Sequence, residues 1–69
     1  MNRSPISSSN LVSVGYDENT RTLEVEFKGG SVYQYFDVPR TVLDELINSG
    51  SAGSYFASNI KNSYRYSRL

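Results

Sequence analysis

The chain has no cysteine, no histidine and no tryptophan, and only two prolines and one methionine. Without cysteine no disulfide can supplement the core of a small domain. Without cysteine or histidine there is no thiol nucleophile, no imidazole general base and no ordinary zinc site. No run approaches the ~20 apolar residues of a membrane span. The serine-rich opening MNRSPISSSNLVSVG lacks the apolar core of a signal peptide. These absences lead us to expect a soluble, cytoplasmic protein that is not an enzyme, with no cofactor, no metal and no membrane association.

What is present is 69 residues, the length of one small domain with a modest core. Seven bases balance seven acids, yet their distribution is uneven. Residues 17–45 carry all seven acids against Arg21, Lys28 and Arg40, whereas from residue 46 onward only Lys61, Arg65 and Arg68 are charged. The acid-free C-terminal third marks a surface for an anionic partner.

Residues 1–9 read as a flexible lead-in, because Ser4-Pro5 interrupts regular structure and Ser7, Ser8 and Ser9 bury nothing. The single domain then spans residues 10–69. Leu11 to Tyr16 alternates, with Val12, Val14 and Tyr16 on one side and Leu11, Ser13 and Gly15 on the other. Asp17 to Thr20 supplies turn chemistry, with Asn19 suited to a left-handed conformation. Thr22 to Phe27 is the clearest strand, setting Leu23, Val25 and Phe27 against Thr22, Glu24 and Glu26. Gly29-Gly30 closes a hairpin into Ser31–Phe36. A two-residue loop would set Gln34 beside Val25. A three-residue loop, Lys28-Gly29-Gly30, sets Tyr33 and Tyr35 beside Val25 and Leu23 and gathers Glu24, Glu26 and Gln34 on the other face. The second register keeps the polar residues together and is the expected one.

Val38-Pro39 leads into a first helix, with Val42, Leu43, Leu46 and Ile47 on one face and Gly50 as its cap. Ser51 caps a second helix whose stripe is Phe56, Ile60 and Tyr64. The expected fold is α+β: a small antiparallel three-stranded sheet followed by two helices.

The run Leu11-Val12-Ser13-Val14-Gly15-Tyr16-Asp17, then Leu23-x-Val25-x-Phe27, Gly30, Tyr33-x-Tyr35, Val38-Pro39, Leu46, Ser51-x-Gly53-x-Tyr55-Phe56, Ile60 and Tyr64 resembles the KTSC domain. That module of about 60 residues is named for its occurrence at the C-terminus of some lysyl-tRNA synthetases, and it also occurs as free-standing bacterial and phage proteins. The likeness covers residues 9 to 66. It implies a single α+β domain, in the host cytoplasm if the chain is phage-encoded, and its synthetase context suggests RNA.

Three sets of residues are candidate ligand contacts. Tyr33 and Tyr35 share a sheet face and suit base stacking, or they are core residues beneath the helices. Ser51 and Gly53 lie in a serine- and glycine-rich turn opening a helix, which suits phosphate or merely allows a tight connection; the turn does not match a P-loop. Lys61, Arg65 and Arg68 fall on one stripe if the second helix continues, interleaved with Tyr64 and Tyr66, and either track a phosphate backbone or form a basic tail. Glu24 and Glu26 share a strand face, where alternate acids usually serve solubility. The leading expectation is a non-enzymatic module that binds RNA, tRNA or a phosphate-bearing nucleotide through the basic second helix. The rival is a protein-interaction module: a homo-oligomer, or an inhibitor or adaptor of a host protein.

Overall fold

Alternating apolar and polar residues build an antiparallel meander, seen in a computed structural model that describes residues 1–8 and 10–69; Ser9, part of the expected lead-in, lies outside the described residues. The elements are β1 (Arg3–Pro5), β2 (Leu11–Asp17), β3 (Thr22–Phe27), β4 (Val32–Tyr35), α1 (Arg40–Asn48), α2 (Ala52–Asn59) and β5 (Tyr66–Arg68). The strands lie side by side in chain order, with both helices inserted between β4 and β5. The α+β class with two helices is as expected, but among the described residues the sheet has five strands rather than three, gaining one from the lead-in and one after the second helix.

The hairpin between β3 and β4 adopts the expected register, with Leu23 opposite Tyr35 and Val25 opposite Tyr33. Phe27 N–H donates to Ser31 C=O across the three-residue loop, and both loop glycines have positive φ, 96° and 95°, a conformation that favours glycine. In the β2–β3 turn the left-handed residue is Arg21 rather than Asn19, whose N–H is held by the Asp17 carboxylate.

On β2 the expected alternation fails at one point. A bulge between Leu11 and Ser13 leaves Val12 as the extra residue, so Leu11 enters the core beside Val14 and Val12 is exposed. The helices cover the face carrying Leu23, Val25 and Tyr35, and Leu43, Leu46, Ala52, Phe56 and Ile60 complete the core. Val38 is fully buried; its N–H donates to Arg21 C=O and its C=O accepts from the Tyr16 hydroxyl at 2.5 Å. The Val-Pro corner is thus pinned to the sheet where α1 begins. Two helix-end expectations are corrected. Ile47 is 52% exposed rather than on the buried face. Ser49, in extended conformation, ends α1 in place of Gly50.

The opposite sheet face is a buried polar network, not a solubilising surface. Glu24 is only 6% exposed. It accepts from Arg3 Nη1 at 2.6 Å and from Gln34 Nε2 at 3.0 Å, while Ser13 Oγ donates to Glu26 at 2.9 Å and accepts from Arg3 Nε at 3.1 Å. Burial alone would raise the Glu24 carboxyl, but the hydrogen bonds from Gln34 and Arg3 and the Arg3 charge outweigh it and hold the group below its ordinary value. Gly15 makes room for this arrangement: a Cβ there would stand 2.7 Å from the Asn2 carbonyl oxygen and 3.0 Å from Arg3 Cγ. No helix among the described residues is long and apolar enough to cross a membrane.

Candidate functional site

Side-chain alternation on β4 and β5 decides what faces the helices. Tyr35 pairs with Tyr66 and Tyr33 with Arg68, so all four side chains share the helix-bearing face. The Tyr66 ring centroid lies 5.6 Å from that of Tyr35 and 5.8 Å from that of Tyr33, and Tyr33 and Tyr35 are stacked at 6.4 Å. Phe56 from α2 meets Tyr35 and Phe27 edge-on at 5.4 and 5.2 Å, and Phe27 meets Tyr33 the same way at 5.7 Å. Five aromatic rings from three strands and one helix therefore form one continuous cluster.

Above this cluster opens a cleft of about 420 Å³ between the sheet and α2, lined also by Asn10, Ser31, Ala57, Lys61 and Asn62. Its depth is graded. Tyr35 is 4% exposed and forms the floor, Tyr33 is half-buried, and Tyr66 is 59% exposed at the mouth. Burial, then the neighbouring Tyr33 and Tyr66, push the Tyr35 phenol up to about 12, so the floor is neutral.

The mouth is cationic. Lys61 lines it, and Arg68 places its guanidinium 5.9 Å from the Tyr33 ring centroid while donating to Ser31 Oγ at 3.2 Å. Among the described residues neither Lys61 nor Arg68 has a carboxylate within ion-pairing distance, and no acidic residue lines the cleft. The acids sit elsewhere: Glu24 and Glu26 under Arg3, and Glu18 and Asp44 on Arg40.

Tyr33, Tyr35, Lys61 and Arg68 are thus brought together, but not on a helix. The second helix stops at Asn59, where the Phe56 carbonyl accepts from both Ile60 and Lys61 N–H, and the chain turns into β5. The stripe of Lys61, Arg65 and Arg68 is accordingly broken. Arg65 pairs with Asp37 at 2.8 Å and lies over the Phe36 ring, beside Tyr64, in a second and shallower hollow. Ser51 caps α2 by accepting from Ser54 N–H, and Gly53 lies beside the β1–β2 connection, where an added Cβ would stand 3.5 Å from Ser8 Oγ and 3.7 Å from Asn10 Cβ. Residue patterns alone missed Phe27, Phe56, Asn10, Ser31, Asn62 and, as a site residue, Tyr66. A detectable signal was the alternation Tyr64-x-Tyr66-x-Arg68, which has the period of a strand.

Residues 7–64 match the family model for the KTSC domain. A crystal structure of a KTSC domain protein from Yersinia pestis is similar to the chain with a TM-score of 0.93 and 35% identity, over 99% of this chain and 96% of that one. An uncharacterized protein of Stutzerimonas stutzeri is 41% identical over all of this chain and 99% of its own length. Lysine–tRNA ligase of Trichormus variabilis is 50% identical over 54 residues, 78% of this chain. The match spans only 10% of the ligase, so the likeness is to a small part of that enzyme. With the family model covering most of the chain and the fold matched over nearly all of it, the chain belongs to the KTSC domain family.

Proposed function

We propose that this domain is a non-enzymatic binding module, cytoplasmic in setting, that takes an unpaired base of RNA into the cleft between β4, β5 and α2 and its phosphate onto Lys61 and Arg68. The observation that carries the reading is the coincidence of graded aromatic depth with an acid-free cationic mouth. Tyr33 and Tyr66 offer ring faces to any base, and the cations supply the sequence-independent attraction to the backbone. The opening of about 420 Å³ beside half-exposed rings suits a splayed-out nucleotide better than a duplex, whose bases are already stacked. Likeness to part of a lysine–tRNA ligase, an enzyme whose name gives it an RNA substrate, favours RNA as the source of that nucleotide. The carboxylates closest to a paired arrangement, Glu24 and Glu26, are occupied by Arg3, Ser13 and Gln34, which supports binding rather than catalysis.

Fluorescence anisotropy of a labelled single-stranded RNA, titrated with the protein at several salt concentrations, tests this. One phosphate held by two cations predicts a log–log salt slope of about −0.7, and Lys61→Ala is expected to weaken binding and flatten that slope. Tyr66→Ala, which removes an exposed ring from an edge strand, weakens binding about ten-fold. No binding at low salt, or binding indifferent to both substitutions, rejects the proposal. A second reading, a protein-interaction module, is favoured by the sheet having β1 and β5 as short open margins. Light scattering across a dilution series tests its homo-oligomer form, which alone predicts self-association without RNA, and a pull-down tests the form that binds a host protein.

A further inference from the structure

Beside the aromatic cleft lies a second hollow of about 610 Å³, lined by Phe36, Asn62, Ser63, Tyr64, Arg65 and Tyr66. Asn62 and Tyr66 line both openings, so the two are contiguous around the residue at the cleft mouth. The second repeats the composition of the first: an aromatic ring, Phe36, with a guanidinium 5.8 Å from its centroid and no acid in the lining. The backbone explains the juxtaposition. The pairing of β4 with β5 continues one residue past Tyr35 and Tyr66, where Phe36 N–H donates to Arg65 C=O at 2.9 Å; by strand alternation this next pair turns to the other side of the sheet, so the two openings meet around the outer margin of β5, at Tyr66 and Asn62.

We infer that the ligand is a single strand of at least two adjacent nucleotides that straddles Tyr66, one base in the aromatic cleft and the next against Phe36 with its phosphate on Arg65. The inference rests on the one-base reading above and extends it from a nucleotide to a strand. Arg65 is the cation suited to the second phosphate. Its partner Asp37 is an exposed carboxylate, and such a pair is weak enough for a phosphate to replace it. Asp37 is therefore a built-in competitor for the second position and plays no part in the first. Because β5 is the outermost strand, a nucleic-acid strand can pass its margin without meeting another element of the sheet.

Isothermal titration of the intact protein with adenosine 5′-monophosphate, the dinucleotide pApA and the hexamer of adenylate tests the extension. The dinucleotide is expected to bind at least about ten-fold more tightly than the mononucleotide, with the hexamer adding little. Arg65→Ala is expected to erase that gain while leaving the mononucleotide constant unchanged. Asp37→Asn is expected to strengthen the dinucleotide a few-fold and again leave the mononucleotide alone; asparagine tolerates the positive φ of 58° at this position. A gain of affinity cannot come from misfolding, so this variant protects the test from a trivial loss. Equal binding of mono- and dinucleotide, with both variants silent, overturns the two-nucleotide inference and leaves the one-base reading standing. Absence of binding by all three ligands at low salt removes both.

Discussion

Replacing Arg3 with alanine tests whether the polar face of the sheet is structural. The substitution leaves Glu24, 6% exposed, with Gln34 as its remaining side-chain donor. Removing one partner of a fully buried ion pair costs ~3–5 kcal/mol, whereas an exposed pair is worth ~0–1 kcal/mol. The Arg3 side chain is 31% exposed and that of Glu24 8%, which places the cost between those limits, at about 1–2 kcal/mol at neutral pH. In a domain of this size that is a fall in Tm of roughly 4–15 °C. The pH dependence is the sharper signature. The folded-state pKa of Glu24 lies below its unfolded value near 4.5, so its stabilisation is present above pH 4.5 and is lost as pH falls through the depressed value. The wild-type and Arg3→Ala stability curves, measured by urea unfolding from pH 3 to 7, should therefore converge toward the acid end. A cycle with Glu24→Gln should show the two changes strongly non-additive. Parallel curves across the range, or simple additivity, would refute the reasoning.

Other consequences are as direct. Gly15→Ala places a methyl group within 2.7 Å of the Asn2 backbone oxygen, so β1 must shift; about 1–3 kcal/mol of stability and the hydrogen-exchange protection of its pairing with β2 should be lost together. Ile47→Lys, on the half-exposed side of α1, should change stability by less than about 0.5 kcal/mol despite its place in the apolar sequence pattern. Tyr35 has its phenol raised to about 12, so the unfolded chain ionises first; stability should fall from pH 10 toward pH 12, and Tyr35→Phe should flatten that fall in thermal melts.

Much of the central fold was legible because it is encoded locally. Leu23, Val25 and Phe27 alternate without interruption, and the polarity of Glu24, Glu26 and Gln34 was enough to choose the three-residue loop and hence the face of Tyr33 and Tyr35. The outer strands were harder to read: Arg3–Pro5 carries no period, and the strand period of Tyr64-x-Tyr66-x-Arg68 competes with the helical spacing of Lys61, Arg65 and Arg68. Arg3–Pro5 becomes a strand through its partners, the Arg3 contact with Glu24 and the open side of Gly15. At the other end, Lys61, Arg65 and Arg68 have helical spacing, yet Ser58, Asn59, Asn62 and Ser63 are poor helix formers that compete for backbone hydrogen bonds. The chain leaves the helix there, and the cations redistribute. Lys61 and Arg68 stay with the tyrosines, while Arg65 turns to Asp37. The candidate site was thus half visible: its tyrosines and two cations could be named, but the cleft that unites them depends on β5. The bulge at Val12 was hidden for a similar reason, because Leu11 and Val12 are equally apolar and only the register with Phe27 decides which is buried.

The central claim is that the aromatic cleft is where an unpaired base binds. Backbone amide resonances followed by NMR during titration with a short single-stranded RNA report the location directly. The account predicts that shifts concentrate on Asn10, Ser31, Tyr33, Lys61, Asn62 and Tyr66, the lining of the cleft, with Arg3, Gly15 and Glu24 on the opposite face unmoved. Shifts centred on that opposite face or on the Ser51–Ser54 turn, with the cleft silent, would contradict it.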